Sequence, residues 1–335
     1  MTIYIILLII LINFFLFRIN ENVAKKINLY DIPDLRKLHK KPVPLNGGIF
    51  YFINLFIIFI IDIFFNDFNL LGSLGLLSEV NSILTLLMVF LLLLVGIIDD
   101  KICLSPITKS MLSLIIFFIF LLINTEYQII SLRFETLNFT LDLFELSLVF
   151  SILCFMILQI VFNLYDGINL QSALYYSIIL IYLMIINQKY NFIIICFLTL
   201  IYLVYFSINN YKSKIFLGDN GVYVFSFILS LLIIKTYHEH DTVFLVEEIL
   251  VILLLPSIDM VRLFFARLIK NKNPLTADRM HLHHILLKKY GLIKANIFLV
   301  SPLILSILLM NFTSLNIIII IMMNGISYLY LLRTK

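Results

Sequence analysis

The chain has 335 residues, 62% of them hydrophobic and only 13% charged, with a formal net charge of +4 and a mean hydropathy of +1.08. That composition excludes a soluble globular domain, which carries about a quarter charged residues, and it describes an integral membrane protein. No nucleic-acid partner is expected, and long apolar runs without a β-type dyad pattern point to helices rather than a barrel.

A helix needs roughly 20 apolar residues to cross the hydrocarbon. On that measure eleven spans are expected, at 2–17, 47–66, 81–98, 110–124, 146–162, 172–187, 190–208, 221–236, 247–265, 296–311 and 315–331. The first lacks a basic n-region and a small-residue cleavage site, so it reads as an anchor and not as a cleaved signal. The expected fold is all-α: one polytopic helical bundle over residues 1–335, with no repeat and no linker. Its largest soluble piece is the loop 266–295, with an NKNP turn and a short helix, HLHHILLKKYGL, stopped by Gly291. Cys103, Cys154 and Cys196 show no paired spacing, so neither disulfides nor a thiolate metal site is expected.

Loops that follow odd-numbered spans hold 21 of the 24 Lys and Arg residues; the others keep Arg133, Lys189 and Lys235. Positive charge gathers on the cytoplasmic side. The amino terminus is therefore expected outside and the carboxyl terminus inside.

Five polar segments share that inner face, and each admits two readings. The first, RKLHKKPVPLNGG (36–48), is a basic anchor, yet anchoring does not explain His39 beside Gly47 and Gly48. In the second, DDKICLSPITK (99–109), Asp99 and Asp100 close a span. Acids at a helix carboxyl end oppose the macrodipole, so they suit a divalent cation or a proton better than a structural cap. The third, NLYDGIN (163–169), contains an Asp-Gly turn, but Asn163, Asp166 and Asn169 at membrane depth are costly unless used. They suit a nucleotide, sugar hydroxyls or a metal. In the fourth, NNYKSKIFLGDNG (209–221), Asp219 is either a helix cap or part of a glycine-flanked phosphate cradle. The fifth, PLTADRMHLHH (274–284), offers zinc ligands or, with Arg279, phosphate contacts. On a continuous helix His281 and His284 share a face and His283 points elsewhere, which speaks against a three-His chelate. Asp259 and Arg262, three residues apart within a span, are expected to pair with each other.

With these five segments in this order, the chain resembles the bacterial polyprenyl-phosphate N-acetylhexosamine-1-phosphate transferases. Those enzymes are relatives of phospho-MurNAc-pentapeptide translocase and begin O-antigen, enterobacterial common antigen and teichoic-acid linkage synthesis. The match runs from about residue 30 to 290, and HLHH is similar to the GlcNAc-1-phosphate transferase branch. The resemblance implies a multi-pass enzyme of the bacterial cytoplasmic membrane. Its acceptor would be undecaprenyl phosphate, its donor a UDP-N-acetylhexosamine, its cofactor Mg2+ or Mn2+, and its by-product UMP. It implies a catalytic set of Asp99, Asp100 and Asp219, with Asp219, Asp100 and Asp166 toward the metal. Asn163, Asp166 and Asn209 would hold the nucleotide and metal, with Asn169 beside them. Lys109, Arg279, His281, His283 and His284 would contact the diphosphate or sugar. Lys37 and His39 would face the lipid phosphate or the donor. Relatives form dimers, so a homodimer is an option, although no span shows a small-xxx-small face.

Two departures bear on the donor. Leu170 stands where the family usually has glycine, and Val222 stands where it has serine. A transporter or flippase would place polar groups at mid-membrane, and an inactive scaffold would lose acids; the spans here are nearly free of charge and every expected acid is present.

Overall fold

The computed structural model describes residues 2–33, 39–64, 79–136, 138–240, 243–271, 280–313 and 315–333. Its helices are α1 (Thr2–Arg18), α2 (Asn20–Ile27), α3 (Gly47–Phe64), α4 (Glu79–Ile102), α5 (Pro106–Ile123), α6 (Ser147–Tyr165), α7 (Gln171–Ile186), α8 (Tyr190–Tyr211), α9 (Gly218–Glu239), α10 (Val246–Ile269), α11 (Leu282–Phe312) and α12 (Ile317–Arg333). Eleven of them fall on the expected spans. The exception is α2, a short helix with Lys25 and Lys26 in its last turn, bent 60° from α1. Among the described residues seven helices are long and apolar enough to cross a membrane alone. The α1–α2 pair makes an eighth, and α3, α7 and α12 are shorter apolar helices. Two short antiparallel hairpins complete the fold: β1 (Tyr30–Asp31) with β2 (Val43–Pro44), and β3 (Ser131–Phe134) with β4 (Phe139–Asp142).

The helices sort by what surrounds them. In α5, Ser113, Ile116, Phe117, Phe120 and Leu121 form a buried stripe at helical spacing. The opposite face leaves Ile115 52% and Leu122 49% exposed. Such a surface is unfavourable in water and costs nothing against lipid. By contrast, α9 buries 17 of its 22 residues on every side. Being enclosed by protein, it carries hydroxyls that lipid-facing helices avoid; Ser226, Ser230 and Thr236 donate to carbonyls one turn back in the same helix. Aromatic rings fill the space around it. Phe225 stacks on Tyr51 of α3 at 3.8 Å, and Phe227 meets Phe117, Phe120 and Phe155.

Glycines let two neighbours close on the start of α9. A side chain at Gly96 of α4 would run into the Asn220 backbone, and one at Gly48 of α3 into Asn220 and Gly221. Amide pairs join other spans: Asn13 of α1 and Asn54 of α3 exchange two hydrogen bonds at 2.8 and 3.1 Å. At the far end of the bundle Lys189 and Lys235 share Glu239, at 2.8 and 3.0 Å. The break expected at Gly291 is real: φ is +76° there and α11 bends.

Gly96→Ala should therefore part α4 from α9 and cost about 2 kcal/mol. Gly325→Ala, where a side chain meets nothing within 4 Å, should melt like the wild type or slightly higher. Thermal unfolding of the two variants in detergent checks the contrast.

Candidate active site

Four loops separated in sequence become one hydrogen-bonded structure at one end of the bundle, and the described part of the fifth packs against it. The first and fourth run alongside each other. The Phe216 amide donates to the Pro44 carbonyl at 2.8 Å, the Gly47 and Gly48 amides donate to Phe216 and Leu217, and the Asn220 side chain donates to Leu45 at 2.8 Å. His39 sits beside this pairing, edge-on to Phe216, with one ring nitrogen 2.8 Å from Asp31 and the other 2.7 Å from the Lys41 carbonyl.

The second loop meets the fourth through its acids. Gly218 takes a left-handed turn (φ +73°), and α9 then begins with its amides facing the end of α4. Asp100 accepts the amides of Asp219 at 2.9 Å and Asn220 at 3.1 Å, and also the Asn220 side chain at 2.5 Å. An acid from a neighbouring helix thus caps α9, a role the sequence leaves open for Asp219 itself. Asp99 is only 3% exposed and accepts from Lys109 at 2.9 Å, Tyr223 at 3.1 Å and the Leu104 amide at 2.8 Å. Lys109 Nζ also lies 3.8 Å from Asp219 Oδ2. Asp219 keeps 28% of its side chain exposed. It is more open than the buried Asp99.

The third loop closes the ring. Asn163, at the end of α6, donates to Asp219 Oδ1. The Asn169 side chain donates to Ser213, and its carbonyl accepts from Asn296 of α11. Burial pushes the Asp166 carboxyl up to about 6. Leu170 is held at φ +71°, its amide 2.6 Å from Asn210 Oδ1. That backbone explains why glycine is usual at this position. Asn209 is not brought to the acids: its side chain bonds the Tyr205 carbonyl within α8.

The fifth loop departs from the helical expectation. His281 precedes α11 with extended backbone, so it is His281 and His283 that stack in parallel, 5.2 Å apart and 7° from coplanar. The pairing of His281 with His284 is thereby corrected. His283 abuts Gly167 of the third loop, and its Nδ1 lies 3.4 Å from the Gln171 amide. His284 sets its ring edge-on to His283. Lys37 and Arg279 lie outside the described residues.

The donor set fits a hard cation. Asp99, Asp100 and Asp219 bring three carboxylates together, and among the described residues Lys109 is the lysine paired with them. Among the described residues no three His, Cys, Asp or Glu side chains converge on one metal position. A partial shell of that kind suits Mg2+, which takes one or two carboxylates and fills its octahedron with water and substrate phosphates.

Residues 82–237 match the family model described as glycosyl transferase family 4. The match covers the central helices, from α4 to α9, and is a likeness to that family over this stretch. Curated relatives extend the likeness beyond it. The chain is 26% identical over 292 residues to an undecaprenyl-phosphate alpha-N-acetylglucosaminyl 1-phosphate transferase of Pasteurella multocida, covering 83% of this chain and 76% of the relative. It is 28% identical over 294 residues to the Thermotoga maritima protein of the same name, covering 87% and 84%. A probable enzyme of this kind from Bacillus subtilis is 26% identical over 80% of this chain and 72% of its own. The resemblance read from the five loops is borne out. The matched stretch contains the acids, Lys109 and the third loop; His39 and the three histidines at the start of α11 lie outside it.

Some site residues carry little sequence signal. Tyr223 lies one turn beyond Asp219 and reads as core, and Asn220 and Asn210 hide within motifs singled out for their neighbours. Asp259 had a signal, an acid inside an apolar span.

Leu170→Gly should relieve the left-handed strain and stabilise the fold by about 1 kcal/mol. A raised melting temperature in detergent checks it.

Proposed function

We propose that this protein transfers N-acetylhexosamine 1-phosphate from a UDP-sugar, UDP-GlcNAc or a close relative, to undecaprenyl phosphate, releasing UMP. The reading places the site at the cytoplasmic face of a bacterial membrane, as the positive-inside bias of the loops favours. It makes the reaction the first membrane step of a cell-surface polysaccharide such as lipopolysaccharide O-antigen. The observation that carries it is the joining of the first four loops around Asp99, Asp100, Lys109 and Asp219, with the histidines of the fifth packed against the third.

A lipid phosphate oxygen forms a bond to the β-phosphorus of the donor. The bond from that phosphorus to the bridging oxygen breaks, and its electron pair leaves with UMP. Such a transfer demands positioning and charge neutralisation more than covalent help. Lys109, fixed by Asp99, offers a preorganised cation to the reacting phosphates. A base at Asp99 would require Lys109 to move off it first. Asp219, with one oxygen steadied by Asn163, is the carboxylate that would hold Mg2+; Asp100 would support it through the α9 amides, and Asp166 would join only through the nucleotide side of the site. Bound there, Mg2+ would supply charge neutralisation at the transferred phosphoryl group. Asp100 keeps Asp219 in place through the α9 amides. The third loop and the histidines face the nucleotide and sugar.

Incubating membranes with undecaprenyl phosphate, Mg2+ and a panel of radiolabelled UDP-N-acetylhexosamines should give lipid-linked product with at least one sugar. No product from any of them, with folded protein, would overturn the reading. Asp219→Asn should lower turnover by about 10²–10³-fold with unchanged melting, and chelation by EDTA should abolish transfer until Mg2+ is returned.

A further inference from the structure

Asp259 lies in the apolar helix α10 and is only 6% exposed. A buried acid must be paired and hydrogen-bonded. Its Oδ1 accepts from Arg262 at 2.8 Å and from the Tyr328 hydroxyl of α12 at 2.7 Å. Its Oδ2 lies 2.9 Å from Nδ1 of His281, and the Leu282 amide approaches both oxygens at 3.3 Å. Arg262 is itself held, donating Nε to Tyr328 at 2.5 Å and Nη2 to the Met280 carbonyl at 2.7 Å. The expected Asp259–Arg262 pair therefore exists, but it is also the mount of a histidine.

Only a donor can face a carboxylate oxygen, so Nδ1 of His281 carries a proton. The ring atom left over is Nε2, which no donor or acceptor meets among the described residues. The side chain of His281 is 9% exposed, and its ring stacks on His283, which abuts Gly167 beside Asp166.

We propose that Asp259, clamped by Arg262 and Tyr328, is a positioning residue that holds His281 in its Nδ1–H form and aims Nε2 at the donor. The aim at the donor rests on the transferase reading above; the clamp does not. The same logic fixes imidazole tautomers beside metals and in hydrolytic triads.

The geometry says what an amide would do. In Asp259→Asn the oxygen must stay with the two donors, Arg262 and Tyr328, so the NH2 group faces His281. Nδ1 must then accept, and the proton moves to Nε2. The test is nitrogen NMR of [15N]histidine-labelled protein in detergent, with His281 assigned by its loss in His281→Asn, together with transfer kinetics. Wild-type Nδ1 should be protonated; in Asp259→Asn it should be bare. kcat should fall at least about 100-fold with KM for the UDP-sugar within about threefold, as expected when a transition-state contact is lost. Asp259→Glu should keep the Nδ1–H signal and recover at least about tenfold of the lost turnover. Wild-type kcat in Asp259→Asn overturns the proposal, and so does a bare Nδ1 in the wild type, a measurement that stands even if the variant does not fold. If the wild type transfers nothing, the transferase reading fails while the nitrogen spectrum still decides the clamp.

Discussion

The site depends on two helix ends meeting head to tail. Asp100 closes α4, where a negative charge is opposed by that helix's own dipole, and it is stabilised because the amides of α9 open directly onto it. The acid that destabilises one helix caps the next. This contact requires the glycines at 48 and 96, without which neither α3 nor α4 could approach the first turn of α9. Asp219 follows at a fixed distance from Lys109 and Asn163, and the charged centre is set by backbone geometry before any substrate arrives.

Around that contact the molecule separates two solvents. The helix α9 is enclosed by protein and can carry hydroxyls and aromatic hydroxyphenyl groups, while its neighbours present leucine and isoleucine outward. Some polar groups inside the spans bond one another, as Asn13 and Asn54 do, and a larger cluster forms at Asp259. The division also separates parts of the site. Helices α4 to α9 supply acids and lysine, while α10 to α12 and the residue leading into α11 supply the histidines and their mount.

Much of this was legible in the sequence for a simple reason. Spans are long apolar runs, and the hydrocarbon enforces their length; all eleven found a helix. The loops declared themselves through polarity on one side. What stayed hidden was backbone and approach. The left-handed turn at Leu170 has no marker in a leucine, and α2 is too short and polar to read as a span. A histidine just ahead of a helix obeys the extended geometry of a cap, so the i, i+3 rule misassigned the faces of His281, His283 and His284. The role of Asp100 was invisible because its partners are main-chain amides 119 and 120 residues away.

The central claim is that a sugar phosphate, and not a bare sugar, moves to the lipid. Purified protein given undecaprenyl phosphate and UDP-GlcNAc carrying 32P at the β-phosphate, or another UDP-N-acetylhexosamine the enzyme accepts, tests it directly. The account predicts that the label leaves with the lipid and that the released nucleotide is unlabelled UMP. Label retained in UDP, with the sugar on the lipid, would contradict it.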